Sequence, residues 1–135
     1  MNITFTMIKP ETVKDKLTGN IISDIEMNGF TIKAIKKVHM TLEDAHRFYE
    51  IHKSQVWYEE TCQMMSSGPI VAMLLESDSE NIVSEFRELI GNTDPLKANF
   101  GTIRKKYGKS KGSNAIHASD SNENAQIEAK FFGLI

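Results

Sequence analysis

The sequence has little cysteine: Cys62 stands alone among 135 residues. That excludes a disulfide framework and a cysteine-rich zinc site, and makes a reducing compartment the default expectation. No apolar run approaches the roughly 18–20 residues that a membrane-crossing helix requires, so no membrane association is expected. Met1 to Phe5 has no basic segment feeding an apolar stretch, so a secretory signal is not expected and the cytoplasm is the expected location. An excess of one charge is missing too. The 16 Lys and Arg face 18 Asp and Glu, a formal net charge of −2. Mild acidity argues against a general nucleic-acid binder. No repeat, low-complexity tract or Pro/Gly/Ser linker divides the chain, which reads as one domain over residues 1–135. The 40% hydrophobic and 25% charged content is globular and excludes the disordered and fibrous classes.

Periodicity supplies the elements. Ile3, Phe5 and Met7 alternate with Asn2, Thr4 and Thr6, the period-2 pattern of a strand that Pro10 ends. Val13, Leu17, Ile21 and Ile25 recur every four residues, predicting one helix that stops near Gly29. Phe30, Ile32 and Ala34 alternate again, and the pattern runs less regularly to Met40. Thr41 with Asp44 forms a capping-box pattern that opens a helix through Ala45, Phe48 and Tyr49. A second short helix is expected from Trp57 to Ser66, before the turn at Gly68-Pro69. The continuous apolar run from Ile70 to Leu75 predicts a strand covered on both faces. Val83, Phe86, Leu89 and Ile90 give a helical stripe closed by Gly91, after which periodicity disappears from Asn92 to Ser113. A last helix is expected near Asp120, capped by Asp120 with Glu123, and Lys130-Phe131-Phe132 is the candidate closing strand. This order predicts an α/β (α+β) sandwich of the ferredoxin-like type: a four-stranded antiparallel sheet covered by helices, with a long irregular loop at about 92–113. Irregular stretches of that length tend to be functional.

The loop carries unusual chemistry. Arg104, Lys105, Lys106, Lys109 and Lys111 place five positive charges within eight residues, with no acid among them. Beside Gly101, Gly108 and Gly112 such charge suits phosphate groups, and the plainer alternative is a solvated, mobile loop. Gly108-Lys109-Ser110 is not a phosphate-binding Walker loop, because that motif needs a glycine where Ile103 stands. His117 falls just before the expected helix start, where backbone donors and the helix dipole favour an anion. An imidazole there suits a nucleophile toward a phosphoryl group or a general base, and equally a histidine packed in a loop. A Ser-His-Asp hydrolase is a poor competitor, since Ser119 and Asp120 follow His117 directly and no G-x-S-x-G is present. His39, His46 and His52 show no zinc-ligand spacing. His46 is expected on an exposed helix face and His39 at a strand end, while His52 has no assigned role. Lys9 ends the first strand, and Trp57 is either a core aromatic or a base-stacking platform.

Four segments in order resemble the nucleoside diphosphate kinase family over nearly the whole chain. They are Thr6-Met7-Ile8-Lys9-Pro10; Ser67-Gly68-Pro69-Ile70-Val71-Ala72-Met73; Ile90 to Pro95 with Gly101-Thr102-Ile103-Arg104; and, most specific, Asn114 to Ser121, similar to N-x-x-H-G-S-D-S. The resemblance implies a ping-pong phosphotransferase that maintains nucleoside triphosphate pools, passing a γ-phosphate through a phosphohistidine at His117. It implies that Lys9, Tyr49, Arg87, Thr93, Arg104 and Asn114 contact phosphates or ribose, with Lys9 and Tyr49 close to the chemistry. Ser119 and Glu128 would orient His117, Trp57 would stack on the base, and Thr61 stands where a leucine helps pack it. Mg²⁺ is expected mainly through the nucleotide phosphates, with no protein metal cage. Partners are expected to be nucleoside di- and triphosphates and further copies of the chain, as a tetramer or hexamer built from a common dimer. No specific nucleic acid is expected. Ala118 departs from the pattern where glycine is usual, and a left-handed backbone there would cost a Cβ about 1–2 kcal/mol. Two alternatives share the fold: a nucleotide-binding or interaction module that has lost phosphotransfer, and an RNA-binding domain, disfavoured because the aromatic RNP pattern is missing.

Overall fold

The computed structural model describes residues 2–135. Four strands, β1 (Asn2–Ile8), β2 (Thr31–Val38), β3 (Ile70–Ser77) and β4 (Ile116–Ala118), form one sheet in the order β2-β3-β1-β4. All neighbours are antiparallel. Seven helices accompany it: α1 (Pro10–Lys14), α2 (Thr18–Met27), α3 (Leu42–Phe48), α4 (Tyr58–Met65), α5 (Ile82–Ile90), α6 (Ile103–Tyr107) and α7 (Asn122–Phe131). The expected α+β sandwich is therefore present.

The run in β3 explains the two layers. Side chains alternate across a strand, so Val71, Met73 and Leu75 join one core with Ile21 and Ile25 of α2 and Val83 and Phe86 of α5. Ile70, Ala72 and Leu74 join a second core with Ala45 of α3, Met65 of α4 and Ala129 of α7. β1 lies between β3 and β4, so its Thr4 and Thr6 are fully buried rather than solvent-facing. An alternation of Ile, Phe and Met with Thr does not distinguish a half-exposed strand from one covered on both sides.

Five expectations are corrected. The stripe from Val13 to Ile25 is two helices, because Lys16 takes a left-handed backbone (φ 62°) and breaks the chain between α1 and α2. In β2 a bulge at Lys33 separates Ile32, opposite Leu75, from Ala34, opposite Leu74. Ile32 and Ala34 consequently face different cores instead of one. The irregular stretch 92–113 contains α6, capped by the Thr102 side chain accepting from Lys105 N. Finally, β4 closes the sheet rather than residues 130–132. Lys130 and Phe131 are the last turn of α7, and Phe132 is buried in the second core. The N-cap of α7 is Ser121, which accepts from Asn124 N; Asp120 takes the Asn124 amide side chain instead.

Candidate active site

His117 is the middle residue of β4, opposite Met7 of β1. It lies within a strand, not in a turn ahead of a helix. Three consecutive carbonyls of β4 each accept from a side chain of another element. Arg104 Nη2 donates to Ile116 O at 2.9 Å, Thr6 Oγ1 to His117 O at 2.7 Å, and Arg87 Nη1 to Ala118 O at 3.0 Å. Arg104 also donates to Gly91 O at 3.1 Å. The sequence motif and the two arginines are thus one hydrogen-bonded assembly, with a guanidinium on the carbonyl of each residue next to His117.

The imidazole packs among Phe5, Phe48 and Tyr49, with ring centroids 5.7–6.4 Å away. Its Nε2 lies 2.9 Å from Glu128 Oε1, and Ser119 Oγ donates to the same oxygen at 2.5 Å. A carboxylate accepts only, so neutral His117 carries its proton on Nε2. Nδ1 is left with its lone pair.

Lys9 is the extended N-cap of α1, tied by its backbone N–H to Ala115 O at 2.9 Å. Burial and the nearby Arg104 guanidinium lower its ammonium to about 8. Burial, with Arg87 adding, lowers Arg104 to about 10, which leaves it charged at neutral pH. Lys9, Arg87 and Arg104 form no ion pair among the described residues. Three cations that repel one another without an acidic partner are arranged for an anion. Burial, with the Glu128 carboxylate adding, pushes the Tyr49 phenol well up, so it stays protonated.

Asn114 is buried. Its amide donates to Thr93 O at 3.0 Å, while its Oδ1 has no partner. An unpaired buried acceptor costs about 1–3 kcal/mol and fits a ligand hydroxyl. Trp57 precedes α4, 40% exposed, and Thr61 lies one turn on, its N–H bonded to Trp57 O.

The sequence model of the nucleoside diphosphate kinase family matches residues 2–133. The chain belongs to this family. A nucleoside diphosphate kinase from Chlorobaculum tepidum is 52% identical over 132 residues, covering 98% of this chain and 93% of that one. One from Flavobacterium psychrophilum is 51% identical over 130 residues, covering 96% and 92%. The crystal structure of the Aquifex aeolicus nucleoside diphosphate kinase superposes with a TM-score of 0.93 at 40% identity, covering 98% of this chain and 96% of that one. Family membership carries the enzyme class, a phosphotransferase that binds nucleotides.

Within that family frame, not every positive charge is gathered at His117. Lys106 pairs with Asp24 at 2.6 Å, and Lys109 bridges Glu11 at 2.8 Å and Asp15 at 2.9 Å. Ser113 hydroxyl also donates to Glu11. Lys105 and Lys111 are exposed. Only Arg104 of the five turns inward, and the others lie along the surface, two of them fastening the loop to α1 and α2. Ala118 sits in the extended pairing of β4. The left-handed residue of the motif is Ala115, at φ 79°. Ala118 therefore carries no left-handed strain, and it no longer argues for a module that has lost phosphotransfer. Of the other histidines, His39 Nε2 sits 2.9 Å from Ser66 O, and His46 is half-buried with its Nε2 2.8 Å from Glu59. Sequence reasoning missed Thr6, Gly91 and Ala115, whose roles lie in backbone positions and contacts that no local pattern announces.

Proposed function

We propose that the chain moves a γ-phosphate from a nucleoside triphosphate, typically ATP, to a nucleoside diphosphate in two steps through His117. One observation carries this reading: an imidazole with Nε2 held by Glu128 sits on β4 between two residues whose carbonyls each accept from a guanidinium that has no acidic partner. The Nδ1 lone pair attacks the γ-phosphorus. The new N–P bond forms as the bond to the β-phosphate oxygen breaks, and the diphosphate leaves. A second diphosphate attacks the phosphohistidine and reverses the sequence, which restores the imidazole. Such in-line transfer depends mainly on positioning and on charge at the equatorial oxygens. Lys9, Arg87 and Arg104 supply that charge, with Tyr49 O–H and Thr93 as neutral donors.

Asn114 Oδ1 accepts from a ribose hydroxyl in this reading. Trp57, with Thr61 beside it, stacks the base, which is tolerant of base identity. Ser119 orients His117 through Glu128. The side chains here are cations and neutral donors, which suit phosphate oxygens rather than a bare ion, so Mg²⁺ enters as part of the nucleotide substrate. Residues 1–135 act as one domain in the cytoplasm, consistent with the lone, buried Cys62. Assembly as a tetramer or hexamer of a common dimer follows the family pattern, and light scattering counts the subunits.

Incubation with Mg²⁺ and γ-labelled ATP tests the central step. Acid-labile label should appear on His117 and be chased off by GDP or UDP, and His117→Ala should bind nucleotide and transfer nothing. Label on another residue, or turnover by His117→Ala, overturns the assignment.

A further inference from the structure

The base platform of the proposed site has a second ring against it. Trp57 is partly exposed and makes no side-chain cap for α4. Among the described residues the aromatic ring against its indole is the imidazole of His52, centroid to centroid 5.0 Å with the planes at 48°. The intervening residues Lys53, Ser54, Gln55 and Val56 are all exposed. Tight turns fix the spacing of the two rings. His52 N donates to Tyr49 O at 2.8 Å, Gln55 N to His52 O at 2.9 Å, and Tyr58 N to Gln55 O at 3.1 Å. Tyr49, at the head of this series, is buried with its ring beside that of His117. His52 is therefore joined to the reaction centre on one side and packed on Trp57 on the other. It makes no hydrogen bond to Lys9, Arg87, Arg104 or His117 among the described residues.

An exposed indole that must be ordered on binding loses affinity to that ordering, and one already held does not. We infer that His52 is a positioning residue for the nucleotide base: its ring holds the Trp57 indole in the orientation that stacks. The inference rests on the reading of Trp57 as the base platform. It places the contribution of His52 in nucleotide affinity and not in phosphoryl transfer.

A double-mutant cycle in the full chain tests it, using wild type, His52→Ala, Trp57→Ala and the double variant. Both kcat and KM are measured for GDP and UDP with ATP as donor. Trp57→Ala should raise KM about tenfold or more, within the range for losing one stacked base. His52→Ala should raise KM about three- to tenfold, part of that same range, with kcat within about twofold of wild type. The double variant should be no worse than Trp57→Ala alone, because coupled residues are not additive. His52→Phe keeps a ring and should restore KM, whereas His52→Leu should not. Trp57 is the only tryptophan, so fluorescence anisotropy reports its freedom directly. Anisotropy should fall in His52→Ala and His52→Leu and recover in His52→Phe.

An unchanged KM in His52→Ala overturns the inference, as does a further KM rise when His52→Ala is added to Trp57→Ala. If His52→Ala does not fold, the Phe and Leu variants decide alone: equal KM values overturn the positioning role. A Trp57→Ala chain with normal KM and normal His117 labelling overturns the platform reading, and the role of His52 with it. Failure of His52→Ala to move KM while Trp57→Ala does so removes only the present inference.

Discussion

Glu128 Oε1 lies 2.9 Å from His117 Nε2, although the two residues belong to different elements and meet only because α7 packs back across β1. The bond fixes the rotation of the imidazole and takes one nitrogen out of play. It also places a negative charge where the ring becomes cationic on phosphorylation. Glu128→Gln keeps the shape and removes the charge. We expect phosphohistidine formation to slow roughly 10–100-fold, the range for partners that orient a functional imidazole. Ser119→Ala leaves Glu128 with one donor fewer and should slow the step by on the order of tenfold. Rapid-quench single turnover with labelled ATP measures both, and a Glu128→Gln rate equal to wild type would remove the orienting role.

Ala115 and Ala118 should respond to glycine in opposite directions. Ala115 holds φ 79°, where a Cβ costs about 1–2 kcal/mol. Glycine relieves that cost but adds about 0.5–1 kcal/mol of unfolded-state freedom. Ala115→Gly should therefore stabilise the fold by about 0.5–1 kcal/mol, a few degrees in Tm. Ala118 is buried in an extended strand pair, so Ala118→Gly should cost about 1 kcal/mol, although it restores the residue usual in the family. Thermal melts of the two variants decide the matter by the sign of each shift.

This contrast shows what is legible in the sequence. β3 and α5 are readable because six or more residues repeat a pattern that one environment enforces. β4 is not, since three residues carry no period. Its carbonyls are held by Thr6, Arg87 and Arg104, which stand 111, 31 and 12 residues away. The site residues themselves are recognisable as short motifs, but the backbone that needs a left-handed residue is not. The motif's departure at Ala118 points to the wrong alanine. The charge run at 104–111 misleads for a related reason: composition reports sign, and only the fold reports which charges have acidic partners.

Gly91 is where the loop is most sensitive to a single methyl group. Its φ is +90°, and a Cβ added there would stand 2.5 Å from Thr102 Oγ1 and 2.7 Å from Thr102 Cβ. Thr102 caps α6, which carries Arg104, and Arg104 in turn bonds Gly91 O. Gly91→Ala should push this assembly apart, costing about 2–4 kcal/mol in a melt by overpacking and backbone strain together. Arg104→Lys keeps the charge but cannot span both carbonyls. It should lower kcat/KM about 10²–10³-fold, as for loss of one preorganised donor. Steady-state kinetics on the folded variant separates this from a stability effect.

Lys9 links nucleotide affinity and stability to pH with opposite signs. Its pKa in the folded chain is about 8, against an ordinary 10.5, because burial and Arg104 disfavour the ammonium. Between those two values the unfolded chain binds more protons than the folded one. Stability of the nucleotide-free chain should accordingly rise as pH climbs through this window, and Lys9 contributes no slope below about 8. A polyphosphate favours the ammonium, so binding there raises the pKa and takes up a proton. Affinity for ADP should thus fall as pH climbs above about 8, the same range in which the free chain gains stability. Titration calorimetry at pH 8.5 in two buffers of different ionisation enthalpy should show this uptake as a fractional proton per ADP bound, and Lys9→Met should abolish both it and the stability slope. Net proton release on binding, or an unchanged slope in Lys9→Met, would assign the titration to another group.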